Sequence, residues 1–299
     1  MAINTYLAAK TKKLERIVRI GSWTATPFSA ALAQAQGDLR ERGTASEIVA
    51  IDTEQEKEFV REAQAALLRG DIDLAVCELS ALPTEQESGL AIFGLSARMN
   101  PAETLLIRHN ALDAQKLLRL PEGATVATTS ALSRIQLLAF RTDLRCAVWE
   151  SGNPGIIAAG LPDNRFEAFL LPGTVLAHNS LPGDTFHPLE FSPEELVPAP
   201  GKGAFAWLGH RGDLPLRRMV QRIHRPDVSA CTNVERGVLR LLGGDLEILL
   251  GVYCRRDAMG NYHVFAAWTP EPGVPLKRVR LSSSTHFKLS ERIVDALHA

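Results

Sequence analysis

Residues 46–77 read SEIVAIDTEQEKEFVREAQAALLRGDIDLAVC. Ser46 to Asp52 is short, apolar and rich in branched side chains, which predicts a strand. From Thr53 to Arg69 the pattern changes to that of a helix, with Phe59, Ala63, Ala66 and Leu67 on one stripe. Asp52 or Thr53 is the expected cap, and Glu54, Glu56 and Glu58 suit the positive end of the helix dipole. Gly70 marks the stop, and Ile72 to Cys77 is the continuous apolar run of a strand buried on both faces of a parallel sheet. Strand, crossover helix and strand in this order define an α/β unit.

Working outward, Arg16 to Ser22 alternates as a strand, and Ser29 to Arg42 reads as a helix closed by Gly43. The pattern restarts downstream. Ala124 to Thr128 is a strand, Ser130 to Arg141 a helix and Cys146 to Glu150 a strand; a short helix follows Gly155, and Phe166 to Leu171 is another strand. Pro, Gly and Glu thicken from Leu181 to Gly203, which predicts a loop-rich return segment. The last third has a different order: a helix from Thr232 to Leu242, strands over Leu249 to Arg256, Asn261 to Trp268 and Leu276 to Ser282, and a closing helix from Lys288 to His298. The Asp257–Gly260 tetrapeptide between the first two strands is a hairpin turn. The expected fold is therefore α/β: two α/β units in series with a cleft between them, followed by an α+β unit.

Composition narrows the function classes. The 299 residues carry 33 Lys and Arg against 34 Asp and Glu, a formal charge of −1. No broad basic face is implied, so sequence-independent nucleic-acid binding is not expected. No apolar run approaches the ~18 residues of a membrane span, and the start of the chain lacks the apolar block of a signal peptide. Cys77, Cys146, Cys231 and Cys254 are widely spaced without a C-x-x-C, the usage of reduced thiols in a cytoplasmic protein.

Local motifs carry little chemistry. The eight His form neither H-x₃-H nor H-E-x-x-H, so no metal site is expected. Gly201-Lys202-Gly203 lacks the rest of a Walker loop and reads as a tight turn. Neither G-x-S-x-G nor G-x-G-x-x-G occurs. Thr128-Thr129-Ser130 lies between a strand and a helix, where hydroxyls and free N–H groups suit an anion; a plain helix cap explains the same residues. Gly152-Asn153-Pro154-Gly155 follows the next strand and suits an anion likewise; turn chemistry alone explains it too. Both turns fall at strand carboxyl ends, where open α/β sheets place ligands.

Five collinear segments resemble the porphobilinogen deaminase (hydroxymethylbilane synthase) family. GDIDLAVCELSALP at residues 70–83 is similar to the family segment ending H-S-M-K-D-V-P. ATTSALSRIQL (127–137) is similar to G-T-S-S-L-R-R-Q-C-Q-L, and SGNPGII (151–157) to R-G-N-V-G-T-R. VPAPGKGA (197–204) resembles L-P-A-V-G-Q-G-A, and VERGVLRLLGGDLEILLG (234–251) resembles A-E-R-x-F-L-R-R-L-E-G-G-C-Q-V-P-I-G. The resemblance implies two periplasmic-binding-protein-like α/β domains with a ligand cleft plus a C-terminal α+β domain. The implied division is 1–104 with 196–219, then 105–195, then 220–299. It also implies a transferase of porphyrin biosynthesis that builds a linear tetrapyrrole on a cysteine-bound dipyrromethane. An aspartate assists each condensation there, and arginines hold the carboxylates.

This chain departs from that pattern where the chemistry sits. Ala81 stands at the catalytic Asp and Ser80 at the preceding Lys; Leu132 and Ser133 stand at the two Arg of the serine-rich motif. Ser151 and Ile157 replace two further Arg, Trp23 an N-terminal Arg, and Glu56 the Lys of a G-K-G. The primer Cys falls on Leu246, or on Asp245 if the glycine pairs are superposed, so the dipyrromethane cofactor implied by the family lacks its anchor. Thr128 and Ser130 are the ligand-binding positions carried over; no catalytic residue is matched. Arg134, Arg165, Arg236 and Arg240 are candidate replacement cations, with Arg236 read as one half of a structural ion pair.

Three functions follow as expectations. The first is a family member degenerate in its catalytic site, a pseudoenzyme candidate that binds a pyrrole, a tetrapyrrole or a partner enzyme. The second is a divergent but active synthase condensing four porphobilinogens, its primer held non-covalently or on another residue, for which Cys231 is a weak candidate. The third is a non-enzymatic small-molecule binding protein. Whether the chain is an enzyme stays open at this point.

Overall fold

The computed structural model describes residues 17–23, 29–41, 43–53, 55–149, 165–176 and 185–299. In chain order the elements begin with β1 (Val18–Trp23), α1 (Ser29–Glu41), β2 (Ser46–Ile51), α2 (Glu56–Arg69), β3 (Leu74–Glu78) and β4 (Leu90–Leu95). They continue with β5 (Glu103–Arg108), β6 (Thr125–Thr128), α3 (Ala131–Phe140), β7 (Arg145–Val148), β8 (Ala168–Pro172), a single helical turn α4 (Gly173–Leu176) and β9 (Phe186–Glu190). The last are β10 (Phe205–His210), α5 (Leu214–Val220), α6 (Pro226–Leu241), β11 (Leu250–Arg256), β12 (Tyr262–Trp268), β13 (Lys277–Ser283) and α7 (Leu289–His298).

These strands form three sheets, in the orders β2-β1-β3-β10-β4, β7-β6-β8-β5-β9 and β11-β12-β13. In the first sheet β1 runs parallel to both β2 and β3, and β10 enters antiparallel between β3 and β4. In the second, β6 runs parallel to β7 and β8, while β5 is antiparallel to β8 and β9. The chain thus crosses between these sheets twice, after β4 and before β10. The third sheet is an antiparallel meander packed against α6 and α7. This is the mixed α/β architecture with a C-terminal α+β unit. No helix among the described residues is long and apolar enough to cross a membrane.

Each sheet has its own core. Phe59, Ala63 and Leu67 of α2 pack on Ile20, Leu74 and the fully buried Trp207 of the first sheet. The second sheet buries Leu105, Val126, Leu137 and Leu170 on one face. The C-terminal unit encloses Val238, Val252, Val264, Ile293 and Leu297.

Several element ends differ from the sequence reading. Helix α2 starts at Glu56, not Thr53, and its N-cap Gln55 makes no side-chain cap. The Trp23 indole N–H donates to the Thr53 carbonyl at 2.9 Å, taking the acceptor that a helix starting there would need for its first turn. Helix α6 starts six residues before Thr232, with Pro226 in its first turn, where a missing N–H costs nothing. The return segment holds a strand, β9, whose Pro188 is tolerated because β9 lies at a sheet edge. Gly70 ends α2 as expected, at φ 77°. The short helix after Gly155 and the Gly152–Gly155 turn lie outside the described residues.

Candidate functional site

The carboxyl ends of β3 and β6, the amino ends of α2 and α3, and the turn before β10 converge where the chain passes between the first two sheets. Glu78 is the last residue of β3 and is buried. Its Oε1 accepts the Gly203 N–H at 2.8 Å, and its Oε2 accepts a proton of Lys202 Nζ at 2.8 Å. Lys202 sits in a tight turn whose flanking glycines have φ 86° (Gly201) and 79° (Gly203). At Gly203 a Cβ would lie 2.6 Å from the Met99 carbonyl oxygen, so only glycine fits.

The turn is braced from the C-terminal unit. Glu235 of α6, with a fully buried side chain, accepts the Gly201 N–H at 2.8 Å and the Cys254 N–H at 2.8 Å. It also takes both ends of the Arg98 guanidinium, at 2.6 and 3.1 Å. This fork-to-fork pair ties the first crossing to α6, and Arg98 Nε donates to the Lys202 carbonyl of the second at 3.0 Å.

Two further carboxylates face Lys202. Glu56 opens α2, and Glu103 opens β5. Both are partly covered along their stems, but Glu56 Oε1 and Glu103 Oε2 are sealed from solvent and have no hydrogen-bond partner among the described residues. Burial, reinforced by Glu78 and opposed by Lys202, pushes Glu56 up to about 7. Burial also raises Glu103, against the Ser133 hydrogen bond and the Lys202 charge. For Lys202, burial favours the neutral amine, yet the charges of Glu78, Glu56 and Glu103 outweigh it and hold the ammonium protonated. The group therefore carries three carboxyls around one ammonium.

On the second sheet the groups are hydroxyls. Ser130 is the N-cap of α3 and accepts the Ser133 N–H at 3.0 Å. Ser133 Oγ donates to Glu103 Oε1 at 2.7 Å and lies 2.6 Å from Ser130 Oγ. One proton per hydroxyl makes this a relay, with Ser130 donating to Ser133 and Ser133 to Glu103. Thr128 is buried, and its hydroxyl is 3.3 Å from both the Ser130 and Ala147 carbonyl oxygens, to which it donates.

The departures from the family motifs can now be located. Ala81 and Ser80 lie in a 3-10 turn after β3. Arg236 pins that turn, donating to the carbonyls of Leu79, Leu82 and Pro83 at 2.7, 2.9 and 2.5 Å. These main-chain bonds replace the expected ion pair, because the guanidinium is buried against a turn whose carbonyls lack strand partners; burial draws it down to about 10. Leu132 is buried, and Arg134 and Arg240 are exposed. Arg165 lies 5.8 Å from the Phe166 ring. Trp23 stacks on Phe59, 6.2 Å between ring centres. Ser151 and Ile157 lie outside the described residues.

At the positions the resemblance gives to the primer thiol, Asp245 Oδ1 accepts the Glu247 N–H at 2.9 Å and Leu246 packs on the C-terminal core; next to them Glu247 pairs with Lys57 of α2. Cys231 points into the same core, hydrogen-bonded to Cys254. That bond lowers the Cys231 thiol and, with burial, raises Cys254. Among the described residues no group of His, Cys, Asp and Glu is arranged to hold a metal ion.

Glu78 and Glu103 were not singled out from the sequence. The available signal is an ionisable residue closing an apolar strand, as in IDLAVCE.

Residues 9–217 match the family described as porphobilinogen deaminase, dipyromethane cofactor binding domain. A porphobilinogen deaminase from Thermus thermophilus is 33% identical over 224 residues, covering 74% of this chain and 68% of that one. One from Chloroherpeton thalassium is 32% identical over 213 residues, covering 69% of this chain and 63% of that one. Among solved structures, the periplasmic VFT2 domain of BvgS from Bordetella pertussis aligns with TM-score 0.41 and 18% identity, over 69% of this chain and 86% of that one. That likeness is too distant to bear on ligand or function.

Proposed function

The chain belongs to the porphobilinogen deaminase family, and on that premise we propose that it is a member that has given up the family's primer-anchored condensation and acts in porphyrin biosynthesis as a binder. Its ligand is a pyrrole or tetrapyrrole less acidic than the family's, or a product handed over by a partner enzyme. A cytoplasmic setting, consistent with four free thiols, is part of this reading.

The observation that carries it is the 3-10 turn after β3. At the family's catalytic carboxylate it presents Ala81, and Arg236 holds it by three carbonyls. A methyl group neither stabilises a cationic pyrrole nor moves a proton, and losing such a group costs about 10²–10⁴ in rate. The anchor position adds to this, because neither Leu246 nor Asp245 forms the thioether of the family primer. Thr128 and Ser130 are assigned to shaping the amino end of α3 at the ligand.

Incubation of the purified protein with porphobilinogen, followed by oxidation and porphyrin fluorescence, tests the reading. No uroporphyrin above the protein-free control is expected. Enzyme-dependent uroporphyrin would overturn it in favour of a divergent, active synthase.

A further inference from the structure

The C-terminal sheet carries a polar group on the face turned away from its core. Val252, Val264, Val279 and Leu281 pack into that core, so the alternate residues Arg255, His263, Phe265, Arg280 and Ser282 share the opposite face. His263 of β12 stands directly across from Ser282 of β13. Its Nδ1 lies 2.8 Å from Ser282 Oγ, and its Nε2 lies 3.0 Å from Asp257 Oδ2 in the turn before β12.

Asp257 is fixed by its own turn. Its Oδ1 accepts the Met259 and Asn261 N–H groups at 2.9 and 2.8 Å, and its Oδ2 accepts the Asn261 side-chain amide at 3.2 Å. The His263 bond, followed by those of the turn, holds this carboxyl well below the usual carboxylate range. An ionised carboxylate only accepts, so Nε2 carries the ring proton. Nδ1 of the neutral imidazole is then an acceptor, and Ser282 donates to it. Nucleophile, base and orienting carboxylate are thus linked in series at hydrogen-bond distance. The two ring nitrogens are used in the reverse of the common order, with the same chemistry available. A plain turn lock needs less than this: Asp257 already takes three donors from its own turn, and Ser282 is exposed on an edge strand, where water serves its hydroxyl.

We infer that Ser282 is a nucleophile that takes acyl groups from small activated esters, with His263 as general base and Asp257 as positioning residue. No residue of the cleft takes part, so the inference is independent of the binder reading. Ser282 Oγ bonds to the ester carbonyl carbon as its proton passes to His263 Nδ1. The bond from that carbon to the leaving oxygen breaks, and the leaving alcohol takes the proton. Water, deprotonated by His263, then attacks the acyl-serine, the acid departs and Ser282 Oγ recovers its proton. Ester and water are consumed; acid and alcohol form. Arg255 is spent on Glu194 at 2.6 Å, whereas the exposed Arg280, 5.0 Å from the Phe265 ring centre, has no carboxylate partner among the described residues. It is the cation available to the oxyanion.

The test is incubation of the full chain with a fluorophosphonate, which phosphonylates activated serines, with labelled peptides quantified by mass spectrometry. Ser282 is expected to react at least tenfold faster than Ser284, an exposed serine with no imidazole partner among the described residues. His263→Gln, checked for an unchanged circular-dichroism spectrum, is expected to slow Ser282 labelling about a hundredfold. Asp257→Asn, checked likewise, is expected to slow it about tenfold and to move the His263 ring-nitrogen resonances away from the Nε2-protonated form. The parent is expected to hydrolyse p-nitrophenyl acetate at least tenfold faster than Ser282→Ala, which loses only an exposed hydroxyl. If Ser282 is labelled no faster than Ser284, if folded His263→Gln labels at the parent rate, or if Ser282→Ala hydrolyses the ester as the parent does, the three residues form a turn lock only and the inference fails.

Discussion

The first two sheets meet the cleft with different chemistry. At the carboxyl end of the first, β3 delivers Glu78, held by Lys202 and faced by Glu56 across the start of α2. At the carboxyl end of the second, β6 delivers Thr128, followed by the hydroxyls of Ser130 and Ser133, and the carboxylate Glu103 arrives on the antiparallel β5. A helix begins beside each group, α2 after β2 in the first unit and α3 after β6 in the second. The first furnishes the cleft with charges that depend on one another and on pH; the second adds one raised carboxyl, Glu103, to hydroxyl donors that bond to one another locally. Charge and pH effects should therefore be strongest in the first unit, and loss of the α3 cap in the second should act as an ordinary cap loss.

The largest effect is expected behind the first unit. Glu235→Ala leaves the Arg98 guanidinium without its carboxylate, with only the Lys202 carbonyl remaining, and the Gly201 and Cys254 N–H groups without their acceptor. Breaking a buried pair from one side costs about 3–5 kcal/mol, and urea unfolding should show a loss of that size. A loss below about 1 kcal/mol would mean that the turn at Lys202 does not depend on its brace.

Next comes Glu56→Gln. Because Glu56 sits at about 7, above its ordinary value near 4.5, the folded state holds its proton more tightly than the unfolded chain does. That contribution is present below the ordinary value and is lost as pH rises through about 7. The amide does not titrate, so the variant should gain up to about 3 kcal/mol over the parent at pH 8 relative to pH 4.5. Thermal melts across this range check it, and a pH-independent difference would contradict the assignment.

The smallest effect belongs to the second unit. Ser130→Ala removes the α3 cap and should cost about 1 kcal/mol with little pH dependence between 6 and 8. A pH-dependent loss like that of Glu56 would erase the contrast between the two units.

What the sequence revealed follows the same division between local and distant causes. The β2-α2-β3 unit was legible because the α2 stripe of Phe59, Ala63 and Leu67 is periodic and Gly70 ends it in a left-handed conformation. The C-terminal strands were legible because the Asp257–Gly260 turn separates two regular runs; there Gly260 has φ 87° and its N–H donates to the Asp257 carbonyl at 3.0 Å. Strand β9 was hidden by Pro188 and the first turns of α6 by Pro226. Strand β10 was unread because its place depends on β3 and β4, more than 100 residues away in the chain. The site divides likewise. Ser130 shows in the sequence as a serine between strand and helix, whereas Glu78 gains its partner from 124 residues downstream and Glu103 from 30. The helix expected after Gly155 and the positions of Ser151 and Ile157 fall outside the described residues.

The central claim, that the chain keeps the family scaffold without its covalent chemistry, is tested most directly by the intact mass of the protein after incubation with porphobilinogen. With Leu246 and Asp245 at the anchor position and Cys231 buried beside Cys254, the mass is expected to equal that of the bare 32.6 kDa chain under denaturing conditions. A denaturation-resistant increment matching one dipyrromethane would contradict the account.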